Sequence, residues 1–180
     1  MTKRRKIFAT ILLFSIIVGL LLIWMLYDKK MMTASITSSN GARYTMLLPQ
    51  DFVPVHLNDS AASLQYENKK KDLFILVIDE SKSKIISFGL DYDLETYMKI
   101  AIDVRDVGTL HINRPVSSGA NKGFQTDIRA TVNNKKMVYL LTCFETPMFF
   151  YQILIGSSEK QYESNKDEIE KMGNSFHEIN

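Results

Sequence analysis

The chain of 180 residues has one cysteine, three histidines and one tryptophan. The lone Cys143 excludes an internal disulfide scaffold and any zinc site built from several cysteines. His56, His111 and His177 are scattered, with no further ligand at metal spacing on a shared helix, so no metal site assembles around them. The sequence has no Gly-x-Ser-x-Gly elbow, no phosphate-binding loop and no dinucleotide fingerprint. It also has no internal repeat and no low-complexity tract. With 23% charged and 46% hydrophobic residues, a wholly disordered or collagen-like chain is excluded. One folded domain is expected at this length.

The net charge of +2 is a sum over two unlike parts. Residues 1–30 hold Lys3, Arg4, Arg5, Lys6, Lys29 and Lys30 against Asp28, a net +5. The remaining 16 basic and 19 acidic residues give −3. Between the basic clusters runs Ile7 to Tyr27, 21 residues without a charge. As a helix this run spans about 31 Å, close to the hydrocarbon thickness of a bilayer. Trp24 and Tyr27 fall at its far end, where aromatic rings favour the interface. The run is longer than a cleaved signal's apolar core, and Asp28-Lys29-Lys30-Met31-Met32 is a poor cleavage region, so a retained anchor is favoured over cleavage. The excess of basic residues before it predicts a cytoplasmic N-terminus and an extracytoplasmic C-terminal part. That part is mildly acidic, which argues against nucleic-acid binding.

The expected organisation is a basic tail at 1–6, a transmembrane signal-anchor at 7–27, a polar linker at 28–41 and an exported domain at 42–180. Within the domain, strands are expected at 43–48, at 62–66 and 73–78 as a hairpin, at 109–113, at 124–132, at 137–144 and at 148–155. A short extended piece at 52–55 is confined to an edge or turn by Pro54. Asn133-Asn134 suits a two-residue hairpin turn, since asparagine tolerates positive φ. Residues 81–92 read either as a loop or as a small extra strand. A helix is expected over 94–107, capped by Asp93, with Leu94, Tyr97, Met98, Ala101 and Val104 on one face. Residues 114–123 read as a Gly/Ser-rich loop, a possible functional one. A last helix is expected over 159–172, with Ser158 and Gln161 as a capping box, Tyr162, Ile169 and Met172 inward, and Gly173 as its stop. Phe176 is expected to tuck back against the sheet.

Runs 73–78, 137–144 and 148–155 are apolar on both faces, which requires both faces to be covered. Tight turns between the later strands demand antiparallel pairing. The expected fold class is therefore α+β: a mainly antiparallel sheet with helices on both faces, an α/β/α sandwich. An all-β sandwich is the alternative, and it leaves the terminal helix without a role.

Chemistry is sparse. Asp79 and Glu80 are adjacent on a strand and point to opposite faces. Asp93 has a capping role, and Asp103 and Asp106 read as a solvated helix face. Cys143 sits in an apolar strand and reads as a small hydrophobe. No catalytic residue, cofactor or metal site is expected. Ile85, Ile86 and Phe88, in the irregular segment, either form an exposed apolar patch for a partner or fold onto the core.

Tyr44 to Pro49 (YTMLLP) followed by Phe52, then Tyr151-Gln-Ile-Leu-Ile-Gly-Ser-Ser158, the amphipathic helix and Asn174-Ser-Phe176 together carry a resemblance. Over residues 42–177 the chain resembles the PsbP-like domains, a family that includes the extrinsic photosystem subunit and bacterial DcrB-like envelope proteins. The resemblance implies an α/β/α sandwich acting as a non-catalytic binding or assembly module, with no shared catalytic residues to carry over. The expected protein is thus a single-pass membrane protein, with its domain on the outer or periplasmic face of a bacterial membrane, binding another envelope protein. The alternatives are a binder of a small apolar ligand or lipid and, behind it, a hydrolase.

Overall fold

In the computed structural model of this chain, residues 18, 30–56, 61–104 and 112–179 are described. The basic tail, His111 and, apart from Val18, the expected anchor at 7–27 lie outside the described residues. Among the described residues, no helix is long and apolar enough to cross a membrane. The chain divides into two units, residues 1–31 and 32–180, and the second carries the fold described below.

The three apolar runs become the middle of a seven-stranded sheet. They are β5 (Leu73–Ser81), β8 (Lys135–Glu145) and β9 (Phe149–Ser158). Around them stand β3 (Val53–Pro54), β4 (Ala62–Asn68), β6 (Arg114–Ser118) and β7 (Asn121–Val132), in the order β3-β4-β5-β9-β8-β7-β6. Every neighbouring pair is antiparallel. Central strands see packing on both faces, which is why these three carry no polar alternation. Asn133 and Asn134 both take positive φ, 50° and 61°, and close the β7–β8 hairpin as a two-residue turn. Pro54 and Pro115 sit in the two edge strands, where a missing N–H costs no ladder bond.

One face of this sheet is covered by α2 (Leu94–Asp103), which buries Leu94, Tyr97, Met98, Ala101 and Ile102 against Ile128, Leu141, Cys143, Phe150 and Leu154. Asp93 caps it as expected, its side chain accepting from the Thr96 N–H at 2.8 Å. The inward stripe differs at its end. Ile102 is buried, while Val104 is 77% exposed.

The opposite face is covered by a second sheet and two helices. The order of that sheet is β1-β2-β10, with β1 at Met31–Thr37, β2 at Arg43–Pro49 and β10 at His177–Glu178. The expected linker is therefore corrected, because residues 31–37 are a strand. Met32, Ala34 and Ile36 alternate with exposed Thr33, Ser35 and Thr37, a period of two hidden by small polar residues. The helices are α3 (Glu159–Ser164) and α4 (Lys166–Asn174), which replace the single helix expected over 159–172. Asn165 breaks it, with its side-chain amide donating back to the Gln161 carbonyl at 2.8 Å in competition with the helix. The expected capping box is absent: the Ser158 side chain makes no cap bond and instead supports Asp72. Gly173 does not stop α4 but lies buried inside it. Tyr162, Ile169, Met172 and Phe176 are all buried, as expected.

Two more segments differ from expectation. Residues 114–123 are not a loop but the β6–β7 hairpin, turning at Gly119 with φ +58°. Residues 82–87 form α1 (Lys82–Ser87), neither a loop nor a strand. The fold class is α+β with mainly antiparallel sheets, and the layer expected to be all helix on one side is shared between helices and a sheet.

Candidate functional site

β5 runs one strand-end past its neighbour β4, whose pairing begins at Ala62 opposite Ile78. Asp79, Glu80 and Ser81 therefore project beyond that ladder, and the chain turns at once into α1. Lys82 anchors the turn, with its N–H donating to the Met148 carbonyl at 2.9 Å, its Nζ paired to Glu145 and the same ammonium 4.8 Å from the Phe150 ring centre. Gly89, at φ +76°, ends α1 in a conformation few other residues adopt, and its N–H donates to the Ile86 carbonyl at 2.8 Å. The loop that follows leads to the Asp93 cap of α2.

Between the end of β5, α1 and α2 lies a hollow of about 280 Å³. Its floor is polar: Asp79, Glu80, Tyr97 and Gln152 line it. Its rim is apolar, with Ile85, Phe88, Leu90, Tyr92 and Ile100. A second hollow of about 450 Å³ lies on the other side of α1 and shares Ile85 and Tyr92 with the first.

The floor is a hydrogen-bonded network. The Tyr97 hydroxyl donates to Glu80 Oε2, and Gln152 Nε2 donates to the same oxygen at 3.3 Å and to the Tyr97 oxygen at 2.9 Å. Burial, reinforced by the Glu80 charge, pushes the Tyr97 hydroxyl far above the usual tyrosine range, so it remains a donor. The Tyr97 ring stacks on Phe150 with centroids 4.4 Å apart. Asp79 points to the opposite face of β5 from Glu80. Its Oδ2 accepts from Ser38 Oγ at 2.8 Å and from Asn40 Nδ2 at 3.1 Å, both in the turn between β1 and β2.

The three residues singled out for a partner are brought together here but do different things. Ile85 is half-buried beside the α2 core, whereas Ile86 and Phe88 are 59% and 71% exposed. Glu80, Tyr97 and Gln152 were not singled out as a site. Their signal was the interruption of apolar runs by a glutamate and a glutamine, which a strand pattern alone does not pair across 72 residues. His56 and His177 are exposed and lie outside the lining of the hollow. Among the described residues, no group of three His, Cys, Asp or Glu side chains is placed to hold a metal ion. Cys143 is fully buried under α2.

The fold is similar to those of several solved structures. LpqN of Mycobacterium tuberculosis, described as involved in cell envelope biogenesis, matches with a TM-score of 0.58 at 11% identity over 85% of this chain and 94% of that one. The cyanobacterial PsbP of Synechocystis matches with a TM-score of 0.57 at 12% identity, over 84% and 94% of the two chains. A protein of Bacteroides thetaiotaomicron matches with a TM-score of 0.52 at 7% identity, over 76% of this chain and 45% of that one. No family model and no curated protein sequence matches the chain. The domain thus has the PsbP-like fold that its opening strand and closing strand–helix–Ser-Phe pattern suggested.

Proposed function

We propose that this protein is a non-catalytic binding module of the cell envelope, and that it docks another envelope protein at the groove flanking α1. The observation that carries this reading is the exposed apolar edge formed by Phe88, Leu90 and Ile100 at one hollow and Ile86 at the other. An apolar edge of this kind beside a depression is what a partner covers. The likeness to LpqN, itself described in terms of envelope biogenesis, supports the setting. The charge-free run at 7–27 and the basic excess before it support a single-pass anchor with the domain outside the cytoplasm.

A photo-crosslinking residue at position 86 or 88 of the full chain, in intact cells, tests this. A discrete adduct from those positions, absent from a control at exposed Lys136, is the expected result. Equal labelling from all three positions, or none from 86 and 88, counts against it. A second reading, a small apolar ligand, is supported by the size of the 450 Å³ hollow alone, which falls within the range of roughly 300–1,000 Å³ usual for such sites, while Lys82, Asp91, Asp93 and Glu145 in its lining are charged. Native mass spectrometry of the purified protein separates the two, since only the second reading predicts a co-purifying small molecule.

A further inference from the structure

Building on the groove as a partner site, we propose that its 280 Å³ hollow receives one cationic side chain, an arginine or lysine, carried on an apolar segment of the partner protein. Three observations converge on this. The first is charge. Asp79 and Glu80 both line the hollow, and among the described residues no lysine or arginine pairs with either. Lys84 stands on the rim but is exposed and bonds neither acid.

The second observation is unspent acceptors. Tyr97 and Gln152 both donate to Glu80 Oε2, so the other carboxylate oxygen keeps its lone pairs. Gln152, 8% exposed and lining the same hollow, has Oε1 without a donor, whereas the unpartnered Asp79 Oδ1 lies on the other face of β5. The free oxygens of Glu80 and Gln152 suit a group that only donates, and among side chains arginine and lysine are the ones that donate several bonds and accept none. An unpartnered buried acceptor is costly, which a donor-rich ligand relieves.

The third is size and lining. At about 280 Å³ the hollow lies at the lower edge of the roughly 300–1,000 Å³ of small-molecule sites. It suits one long side chain, whose aliphatic stem lies against Ile85, Phe88, Leu90 and Tyr92 while its charge reaches Glu80. The exposed rim then meets the apolar neighbours of that side chain.

The test uses the full chain in neutral detergent and a fluorescent, capped tripeptide, leucyl-arginyl-leucine, beside its citrulline counterpart, which has the same shape without the charge. Fluorescence polarisation should show the arginine peptide binding at least about tenfold more tightly, the scale of a charge-assisted hydrogen bond, with Glu80→Gln abolishing the preference. Lys84→Gln, which alters only an exposed rim residue, should tighten arginine binding and decides the matter if Glu80→Gln fails to fold. Equal affinity for the two peptides, binding of neither, or a preference that ignores both substitutions overturns the proposal. Crosslinking from position 88 would still report docking in that case, so the failure of the cation pocket is distinguishable from failure of the partner reading.

Discussion

The two faces of the seven-stranded sheet are closed by different means, and they end in different states. On one face, β2, β10 and α4 lie over a nest of aromatic rings. Tyr44 meets Tyr151 and Phe176 at 5.6 Å each, and Phe144 stacks on Phe176 at 5.1 Å. All four rings are essentially without exposure. On the other face the main cover is α2, ten residues and so about 15 Å long, lying on strands of ten residues that run about 34 Å. A helix rises less than half as far per residue as a strand, so one short helix cannot cover the strands end to end. The uncovered end is where α1, its two hollows and the Glu80–Tyr97–Gln152 network are found. The closed face serves stability, and the incompletely covered face has room for a ligand.

The largest test of that contrast is Phe176→Ala. It empties the centre of the aromatic nest and should cost about 3–5 kcal/mol, read as a shift in the denaturant midpoint. An effect below about 1 kcal/mol would mean that the nest is not the closed face's keystone. Next is Gly123→Ala. A Cβ there would come within 2.7 Å of the Cys143 carbonyl and 2.6 Å of the Phe144 ring, so a loss of about 1–3 kcal/mol is expected. Gly156→Ala, on the α2 face, would meet the half-buried rings of Phe74 at 2.2 Å and Tyr139 at 2.8 Å, with no backbone atom among its nearest neighbours, and should cost less because rings at the surface can yield where a strand carbonyl cannot. The reverse order would break the contrast.

On the open face, Tyr97→Phe removes one of two donors to Glu80 while keeping the stack on Phe150, and should cost about 1 kcal/mol in thermal or chemical unfolding. Phe88→Ala should change stability by less than about 0.5 kcal/mol, because the ring is 71% exposed, yet should abolish crosslinking at the groove.

The smallest effect is that of acid. Burial works to raise the Asp51 carboxyl, but hydrogen bonds from Lys71 and Asn68 and the Lys71 charge outweigh it and hold it below the usual 3.8. The hydrogen bond from Lys135 holds Asp72 below the same value. A carboxylate depressed in the folded state contributes stability that is present above its unfolded pKa and lost as pH falls through its folded one. Stability should therefore be level above about pH 4 and decline below it. Asp51 and Asp72 are about half exposed, so each pair should be worth under about 1 kcal/mol. The titration should leave groove binding at pH 5 unaltered, since Lys71 ties Asp51 to Glu168 on the closed side.

Much of the fold was legible because the signals are local. The asparagine pair at 133–134, the Asp93 cap and the buried Tyr162, Ile169 and Met172 all act within a few residues of chain. The errors have equally physical causes. In β1 the alternation was masked by threonine and serine, residues that suit a strand's wet face as well as a linker. At 114–123, glycine and serine suggested a loop, but only Gly119 sits at the turn, while Ser118 points inward and donates to the Phe176 carbonyl. Lys82 to Ser87 is a helix of six residues, too short for periodicity to register. The candidate site was legible only in its rim: Ile85, Ile86 and Phe88 stood out as apolar residues in an irregular segment. Its floor was not, because Glu80, Tyr97 and Gln152 come from three elements far apart in sequence.

By itself, the sequence determined the unequal division of charge, the charge-free run at 7–27, the α+β class and the central place of the three apolar strands. Each of these follows from composition or from a periodicity that the backbone imposes on neighbouring residues. Only the tertiary structure decided that residues 31–37 join a second sheet, that one face is sealed and the other left open at an end, and that Glu80, with no cation partner among the described residues, borders the opening. These depend on contacts between residues dozens of positions apart, where the energy lies in packing and in the balance of buried donors and acceptors, and no local pattern records either.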